Sequence, residues 1–367
     1  MSLEIVCEWI ERTGGAERVL EAMIEAFPLA PVHTLWNDAP DRTAGVDVRE
    51  SWLSRTPLRR SKALALPFFD PTWRNVRAVG VPDTLLVSSY VFAHHIRMPK
   101  VPEARKYVYV HSPARYIWAP DIDPRGRNPF IRLSAPYWKR LDRRRASEGS
   151  FFASNSQFVR ERVERSWGVE STVIYPPVDT EKILGTVDWV DCLSSEDEGQ
   201  LRRLPDEFVL GASRLVAYKG LDSVIDFAKS VGLPVVIVGI GPDGSRLKEY
   251  AASSGVRAVF LGEVSDTLLL ALYQRTVAFV FPPIEDFGIM PVEAMAAGGR
   301  VIVARHGGVI ETVEHGVSGV QASGFNGSEA REALDLAVRL DPANAKERAG
   351  RFSQGRFIDA LTSWVGA

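Results

Sequence analysis

The fold is decided by Phe281-Pro282-Pro283-Ile284-Glu285-Asp286-Phe287-Gly288-Ile289-Met290-Pro291-Val292-Glu293-Ala294-Met295-Ala296-Ala297-Gly298. This pattern predicts the end of a strand, a loop, and a helix with Pro291 in its first turn and Gly298 just past its end. The backbone amides of Phe287, Gly288 and Ile289 then lie at a helix N-terminus, where unpaired N–H groups and partial positive charge suit a diphosphate. Strand, loop and helix in this order indicate a parallel α/β domain.

Short apolar runs of the same kind recur on both sides of this segment. Their β-branched and aromatic residues, bounded by turn residues, are typical of buried parallel strands. The predicted strands are residues 3–7, 32–36, 84–88, 107–111, 151–155 and 172–175 in the first half, and 208–212, 235–238, 259–261, 278–281 and 300–304 in the second. Between Gly15 and Phe27, apolar residues recur every three or four positions, which predicts a helix packed by one face. The sequence therefore predicts an α/β protein of two doubly wound, Rossmann-like domains.

A chain of 367 residues is also long enough for two domains. Their boundary is predicted at Pro176-Pro177-Val178-Asp179 and in the acidic, strand-poor segment of residues 188–200. This places the first domain at residues 1–180, the second at residues 186–350, and a final helix at residues 352–367 that crosses back to the first domain.

Composition narrows the class of partner. A formal net charge of -2 argues against duplex nucleic acid, which is usually bound by strongly basic domains. Cys7 and Cys192 are far apart and lack the spacing of a zinc site, which favours a reducing compartment. We find no basic leader and no apolar run of about 18 residues. The sequence therefore predicts a cytoplasmic protein that binds no nucleic acid.

Charged residues with the chemistry of a phosphate site lie in the second half. Arg214 and Lys219 follow a predicted strand in one turn, and two cations there can neutralise a diphosphate leaving group without a metal. Glu285 and Glu293 lie eight residues apart around the predicted helix start, so one carboxylate can reach a sugar and the other a ribose. The alternatives are a solvated basic loop and ordinary helix-terminal acids.

Two segments of the first half suit a ligand as well. Gly14 and Gly15 follow the first strand, and glycines allow close approach of the backbone to a ligand; a simple tight turn is the alternative. His111 ends a strand at its carboxyl end, where open α/β sheets bind ligands, although a lone histidine is more often structural.

The loop Gly239-Ile240-Gly241-Pro242-Asp243-Gly244 opens a different hypothesis. With Glu263 about 20 residues beyond, it fits the dinucleotide fingerprint G-x-G-x-x-G and favours an NAD-dependent oxidoreductase. Against this, Pro242 lies within the turn, and no acid–base pair for hydride transfer stands out.

Taken together, these motifs resemble glycosyltransferase family 4, whose members have the GT-B fold of two Rossmann-like domains facing a central cleft. The residues that carry the resemblance are Gly14-Gly15-Ala16-Glu17-Arg18, His111-Ser112-Pro113 with Arg115, Tyr116 and Trp118, Ala153-Ser154-Asn155-Ser156, residues 173–179, Ser213-Arg214-Leu215 with Lys219-Gly220, Gly239 and Gly241-Pro242, and the segment from Glu285 to Gly298. They occur in family order over nearly the whole chain. The strings around His111 and Tyr175 are similar to those of bacterial mannosyltransferases of surface polysaccharide synthesis, which implies GDP-mannose as donor.

The resemblance implies a role for each candidate residue. Arg214 and Lys219 would hold the diphosphate, and Glu293 would take the ribose hydroxyls. Glu285 would bind the hydroxyls of the sugar together with the amides of Phe287, Gly288 and Ile289. The remaining positions would be His111 near the sugar's 6-hydroxyl, Gly14 and Gly15 beside the phosphates, Gly239 and Gly241 in the nucleotide site, and Glu263 with Val264 near the base.

The implied reaction is retaining and needs no metal, and the departing phosphate oxygen takes the proton of the acceptor. In agreement, no Asp-x-Asp directly follows a predicted strand. The first domain would bind a glycan, lipid-linked or small-molecule acceptor, and the second the donor. A nucleotide-sugar epimerase of the same fold and a non-catalytic binding subunit are the further alternatives. At Gly299-Arg300, family members more often have Lys or Cys followed by Pro.

Two basic segments and a pair of histidines complete the list of notable sequence features. Residues 55–77, from Arg55 to Arg77, interleave cations with apolar and aromatic residues, which suits either contact with an anionic membrane or packing on the first domain. The basic run from Arg140 to Arg145 is interpreted as a solvated helix face. His94 and His95 are interpreted as lacking the partners for a metal site.

Overall fold

The structure is a computed structural model that describes residues 2–12, 14–121 and 123–366. It divides into two compact units, one of residues 1–177 and 355–367 and one of residues 178–354. The first division lies between Pro177 and Val178. Which unit takes the donor and which the acceptor stays a prediction.

Unit 1 is built on a parallel sheet of seven strands in the order β3-β2-β1-β4-β5-β6-β7. These are β1 Leu3–Cys7, β2 Val32–Thr34, β3 Val48–Glu50, β4 Thr84–Ser89, β5 Arg105–Val110, β6 Phe151–Ser154 and β7 Thr172–Val173. Its helices are α1 Gly15–Ala26, α2 Lys62–Trp73, α3 Arg115–Trp118, α4 Pro129–Ala146 and α5 Gln157–Trp167. Short 3-10 turns occur at Pro40–Thr43, Trp52–Arg55, Pro57–Arg60, Ala93–His95 and Pro124–Arg127.

Both faces of this sheet are buried, as the apolar strands predicted. Because neighbouring side chains along a strand point to opposite faces, Val6, Val87 and Val108 pack into one core and Ile5 and Leu86 into the other. The second of these cores also buries one face of the last helix of the chain through Phe357, Leu361 and Val365, which are spaced four residues apart.

Unit 2 is built on a parallel sheet of six strands in the order β10-β9-β8-β11-β12-β13. These are β8 Val209–Ala212, β9 Val235–Val238, β10 Ala258–Gly262, β11 Ala278–Phe281, β12 Val301–Ala304 and β13 Val320–Ala322. Its helices are α6 Thr180–Gly185, α7 Ser195–Leu201, α8 Leu221–Val231, α9 Gly244–Ser254, α10 Asp266–Arg275, α11 Ile289–Ala297, α12 Val309–Thr312, α13 Gly327–Ala337 and α14 Pro342–Ala349, and the chain ends in α15 Gln354–Val365. Its 3-10 turns are Val190–Cys192, Ala217–Lys219 and Gly350–Phe352.

The two doubly wound parallel sheets confirm the predicted fold class. Strands β3 and β13 were not predicted, because each is a three-residue strand at the edge of its sheet and carries too little of the apolar pattern. Strand β2 ends at Thr34 rather than at residue 36, and β7 at Val173 rather than at residue 175. In the strand-poor boundary segment the structure has one 3-10 turn and helix α7.

Candidate active site

The strand order of unit 2 creates a ligand-binding position. Strand β8 pairs with β9 on one side and with β11 on the other, so the connections from these strands leave in opposite directions. Open α/β sheets bind ligands outside the carboxyl ends of the strands at such a switch point. At this point the loop after β8 carries Arg214 and Lys219, and the loop after β11 carries Glu285.

Lys219 and Glu285 form an ion pair that joins these two loops. The side chain of Lys219 is 13% exposed and that of Glu285 is 16% exposed, so both charges are largely withdrawn from solvent. A half-buried ion pair is less screened than a surface pair and can interact strongly with a further charged group. Two of the predicted site residues, 66 positions apart in sequence, are therefore in direct contact.

Arg214 is held beside Lys219 by a side chain that the sequence did not single out. Arg214 Nη2 donates a hydrogen bond of 2.7 Å to the hydroxyl oxygen of Tyr218, and Lys219 Nζ lies 5.6 Å above the ring of the same tyrosine. The turn ends at Gly220, whose φ of +64° is the left-handed conformation that favours glycine. The Arg214 side chain is exposed, so its positive charge is open to a ligand from solvent.

Helix α11 begins where the sequence predicted. It runs from Ile289 to Ala297, with Pro291 in its first turn and Gly298 at φ +90° past its end. The first turn carries no acidic side chain, so no carboxylate within that turn opposes the partial positive charge of the helix N-terminus. The predicted position of the amides of residues 287–289 is confirmed, while their contact with a ligand stays a prediction.

Gly288 and Phe287 fix the path of the loop before α11. Gly288 has φ +96°, and a Cβ atom there would lie 2.6 Å from Cγ1 of Val309. Phe287 is buried with its ring centroid 5.4 Å from that of Phe352, edge to face. These two contacts close the loop against its own unit. Glu293 is half-buried in the second turn of the helix, and its predicted role toward ribose stays a prediction.

The glycine pair Gly307-Gly308 supports the loop that carries Glu285, and its role was not predicted from the sequence. The N–H of Gly308 donates a 2.7 Å hydrogen bond to the carbonyl of Glu285. A Cβ atom on Gly308 would lie 1.9 Å from the carbonyl oxygen of Asp286, and one on Gly307 would lie 2.8 Å from that of Glu285. Only glycine allows this approach of two backbones. The signal was available, because Gly307-Gly308 closely follows a predicted strand.

The dinucleotide-like loop has a different physical explanation. A Cβ atom on Gly239 would lie 1.9 Å from the carbonyl oxygen of Ser213, and one on Gly241 would lie 2.3 Å from that of Leu215. Leu215 also exchanges hydrogen bonds with this loop, donating to the carbonyl of Ile240 at 2.9 Å and accepting from the N–H of Asp243 at 3.0 Å. These glycines therefore pack the loop against the segment that carries Arg214. Their contact with a nucleotide stays a prediction.

Glu263 and Val264 follow the neighbouring strand β10. Glu263 is exposed and Val264 is half-buried, and the preceding Gly262 accepts a 2.7 Å hydrogen bond from the N–H of Gly239. This places both residues beside the glycine loop of β9, on the same edge of the sheet as Arg214. Their predicted position near a base is not tested by these contacts.

In unit 1, His111 directly follows strand β5 and is half-buried. Its Nε2 lies 2.8 Å from Oγ of Ser88, and the rings of Tyr90 and Tyr109 pack edge to face against it. The strand order places β4 and β5 side by side, so Ser88 reaches His111 from the neighbouring strand. The imidazole is thus oriented by three side chains, of which the sequence indicated none.

The glycine turn after β1 closes around a carboxylate of its own segment. A Cβ atom on Gly14 would lie 2.1 Å from Oε2 of Glu17, and Glu17 accepts a 3.2 Å hydrogen bond from the N–H of Glu11. Glu17 is buried, which raises its pKa. Gly15 begins helix α1, as predicted, and Thr13 lies outside the described residues. The structure explains Gly14 by this packing, and phosphate contact of Gly14 or Gly15 stays a prediction.

The interpretation of His94 and His95 is corrected. Both are fully buried, and their Nε2 atoms lie 2.9 and 3.0 Å from Oδ1 of Asp142. The Nδ1 atom of His95 lies 3.0 Å from Oδ1 of Asp70. Asp142 comes from the basic run of α4, so this run is solvated on one side only. Sequence separation hid the contact, because His95 and Asp142 are 47 positions apart along the chain.

Residues 55–77 divide between core and surface. Leu66, Phe69 and Trp73 are buried in the core of unit 1, while Leu64 and Phe68 are exposed. Among the helices of the described residues, none combines the length and apolar content needed to cross a bilayer.

Comparison with known proteins assigns both halves of the chain to the same kind of enzyme. Residues 13–182 match the model described as Glycosyltransferase Family 4, and residues 195–354 match the one described as Glycosyl transferases group 1. The chain is 30% identical over 215 residues to the GDP-mannose-dependent alpha-(1-6)-phosphatidylinositol monomannoside mannosyltransferase of Mycobacterium tuberculosis. The aligned region covers 53% of this chain and 54% of that protein. It is 32% identical over 166 residues to the D-rhamnosyltransferase WbpZ of Pseudomonas aeruginosa, covering 44% and 43%.

The chain thus spans about half the length of the curated relatives it matches. Among solved structures, Anabaena HepE in complex with UDP and glucose superimposes with a TM-score of 0.70 at 19% identity and covers both chains completely. That likeness shows the fold. With a glycosyltransferase model matched in each unit and a fold shared along the whole chain, this protein belongs to glycosyltransferase family 4 and has the GT-B fold.

Proposed function

We propose that this protein transfers a hexose, with mannose from GDP-mannose favoured, onto a glycan, lipid-linked or small-molecule acceptor, with retention of anomeric configuration and without a metal. The observation that carries the proposal is the Lys219–Glu285 ion pair at the switch point of unit 2. It brings together, at one edge of the sheet, a cation suited to a phosphate and a carboxylate suited to sugar hydroxyls.

Breaking the bond between C1 of the sugar and the phosphate oxygen adds a negative charge to a diphosphate that already carries two. Lys219 and Arg214 lie in one turn with Tyr218 between them, so two cations can meet a single diphosphate. The N-terminus of α11, with no acid in its first turn, adds a further positive end. Fixed charges of this kind stabilise the transition state without reorganising at the moment of reaction. This arrangement supports the part of the proposal that needs no metal.

Glu285 is proposed to accept hydrogen bonds from the hydroxyls of the donor sugar, and Glu293 from those of the ribose. A carboxylate offers two oxygens that accept hydrogen bonds from hydroxyl groups, and the Lys219 contact holds Glu285 at this edge of the sheet. For Gly239, Gly241, Glu263 and Val264 we propose contacts to the nucleotide, and for Gly14, Gly15 and His111 the contacts that the family resemblance implies.

Retention follows from attack on the same face that the phosphate leaves. The bond between C1 of the sugar and the phosphate oxygen breaks, the acceptor oxygen bonds to C1, and the departing phosphate oxygen takes the acceptor's proton. This route needs no protein nucleophile. It leaves charge stabilisation and positioning to the residues named above.

The donor is proposed from the relatives. The Mycobacterium tuberculosis relative is named as GDP-mannose-dependent, and the Pseudomonas aeruginosa relative transfers another 6-carbon sugar, D-rhamnose. Binding of the donor is tested by thermal shift with GDP-mannose, UDP-glucose, UDP-N-acetylglucosamine, GDP, UDP and NAD, each in the presence of EDTA. At about 100 times its dissociation constant, a ligand should stabilise the fold by about 2.7 kcal/mol.

Selective stabilisation by GDP-mannose and GDP, undiminished by EDTA, is the expected result. Stabilisation by NAD alone would instead restore the oxidoreductase hypothesis. Release of an isomerised sugar nucleotide without any acceptor would identify an epimerase. Binding without turnover of any donor would identify a non-catalytic subunit.

A further inference from the structure

Helix α4 has an exposed face that the proposed transfer reaction does not use. Phe130, Leu133 and Tyr137 are 82%, 85% and 61% exposed, and their spacing of three and four residues puts them on one side of the helix. The opposite side is buried through Trp138, Asp142 and Ala146. Scattered surface apolar residues are common, but three large ones in one stripe mark a binding surface.

The charges around this stripe have one sign. Between residues 125 and 147 the sequence has a single acid, Asp142, and that side chain is fully buried. Arg132, Arg140 and Arg144 are exposed, and none forms an ion pair within the part of the chain that the structure describes. The face is therefore apolar toward its N-terminal end and basic along its length.

The helix is held rigidly behind this face. Both indole N–H groups of Trp118 and Trp167 donate 2.6 Å hydrogen bonds to Oδ2 of Asp142, and Arg143 lies 5.1 Å over the ring of Trp118. Arg143 also donates a 2.7 Å hydrogen bond to the carbonyl of Ser166. An exposed apolar stripe on a fixed helix has a defined orientation toward whatever it contacts.

The other basic and apolar segment, residues 55–77, differs in its charges. Three of its cations are paired with carboxylates of unit 1: Arg59 with Asp38, Lys62 with Glu11, and Arg74 with Glu148. Paired cations carry little net field into solvent, so this segment attracts an anionic surface less than α4 does.

We propose that the α4 face docks on an anionic lipid bilayer, with Phe130, Leu133 and Tyr137 entering the interface and Arg132, Arg140 and Arg144 contacting headgroups. An amphipathic helix with large apolar residues on one part and arginines on the rest suits the boundary between headgroups and acyl chains. A second copy of the chain is disfavoured as occupant, because two such faces would bring arginines of equal charge together. The proposal does not depend on the donor or on transfer, since its test measures vesicle binding alone.

The test is flotation of the full chain with two kinds of vesicle, phosphatidylcholine alone and phosphatidylcholine with roughly one third phosphatidylglycerol. We expect binding to the anionic vesicles only, weakening as salt rises above ~0.1 M because the Debye length shortens. Each arginine near an anionic surface contributes about a fivefold factor, so the triple variant R132Q/R140Q/R144Q should bind about 100-fold more weakly. F130S/L133S should weaken binding by at least about tenfold, because it removes the inserted apolar area.

The matched control is R55Q/R60Q/L64S, which changes exposed residues of the other segment and should bind within about threefold of the unsubstituted protein. All substituted positions are exposed, and thermal denaturation verifies folding of each variant. The proposal is overturned if the protein does not bind anionic vesicles, if it binds neutral ones equally, or if the arginine variant binds as before. Loss of binding in the control alone would assign the membrane surface to residues 55–77.

Discussion

Two groups of charged residues in this protein show how differently a fold can use a carboxylate. In unit 1, Asp142 is fully buried and receives two indole N–H groups and two imidazole nitrogens within 3.0 Å. In unit 2, Glu285 is partly open to solvent and is paired with Lys219 across two loops. A buried charge with many donors is held entirely within the protein, whereas a pair at a loop edge that keeps some exposure can be reached from solvent.

The electrostatics of the two groups follow from this difference. Burial alone would raise the pKa of Asp142, but His94 and His95 hold it well below its usual range. Burial lowers the pKa of His94 to about 4 and that of Lys106, which donates to the carbonyl of His94, to about 8. The interactions within the unit 1 group therefore stabilise the fold of that unit. We expect substitutions to affect folding there and activity in unit 2.

The largest effect is expected for Asp142→Ala. This change leaves two indole N–H groups and two imidazoles buried without their acceptor, and breaking a buried charged group in this way costs about 3–5 kcal/mol. For a unit of this size the melting temperature should fall by roughly 10 °C. Calorimetry or thermal denaturation followed by circular dichroism measures the change.

Asp38→Ala is the matched control, because Asp38 is an aspartate of the same unit paired with Arg59 at the surface. Its removal should cost less than about 1 kcal/mol, as is usual for exposed pairs. Equal losses in the two variants would show that Asp142 is not saturated by the protein in the way that its contacts indicate.

The next effect concerns the other side of the comparison. Lys219→Ala should reduce the turnover of sugar transfer by about 10²–10³-fold, because it removes a fixed charge from the departing diphosphate. The melting temperature should stay nearly unchanged, since the Glu285 side chain keeps 16% exposure and water can take the place of the Lys219 side chain beside it. Glu285→Ala should behave in the same way. Steady-state kinetics with the donor found by thermal shift measure both variants.

Lys229→Ala, an exposed lysine in the last turn of α8, is the control and should leave turnover unchanged. A drop of many degrees in the melting temperature of Lys219→Ala would show that the Lys219–Glu285 ion pair has a structural role, as Asp142 does. The contrast between the two regions would then be lost.

The sequence predicted the unit 2 side of this comparison better than the unit 1 side. Strand β11, the start of α11 and the Arg214 turn are local patterns, in which residues close in sequence determine strand, cap and turn. The Lys219–Glu285 contact was not specified by them. It could be anticipated only because both loops leave parallel strands at the same edge of a sheet.

The unit 1 network was missed for the opposite reason. Asp142 lies in a run of arginines and looks like a solvated residue, and its partners are 24 to 48 positions away along the chain. The packing of α4 against α3, α5 and the turn at residues 93–95 brings them together. Edge strands β3 and β13 were missed because three residues are too few to show a periodic pattern. Long-range packing is the information that a single sequence does not display.

Glu8 is an intermediate case that sharpens the comparison, because it is fully buried but forms no ion pair with any residue that the structure describes. Its Oε1 accepts hydrogen bonds of 2.8 Å from the N–H groups of both Val91 and Ala93, and Ser89 Oγ lies 3.4 Å away. Burial raises the pKa of Glu8 from 4.5 to about 7, although these amides oppose the shift. The pKa of Glu8 therefore stays raised with backbone donors around it, whereas Asp142, with two histidines and two indoles around it, has a lowered pKa.

The smallest of the three effects is expected for Glu8→Gln and depends on pH. Between pH 4.5 and 7 the folded protein holds a proton on Glu8 that the unfolded chain has released, so the stability from this group falls as pH rises through that window. The pKa shift corresponds to about 3 kcal/mol of stability, which is lost in full above pH 7.

Glutamine cannot ionise, and its oxygen accepts hydrogen bonds from the same backbone amides. The Glu8→Gln variant should therefore match the unsubstituted protein near pH 4.5 and exceed its stability at pH 8. Urea denaturation at both pH values measures this, with the surface-paired Glu11→Gln as control. If Glu8→Gln is less stable at pH 8, the carboxylate of Glu8 is compensated as fully as that of Asp142, and the number of donors rather than their charge decides how a buried acid is tolerated.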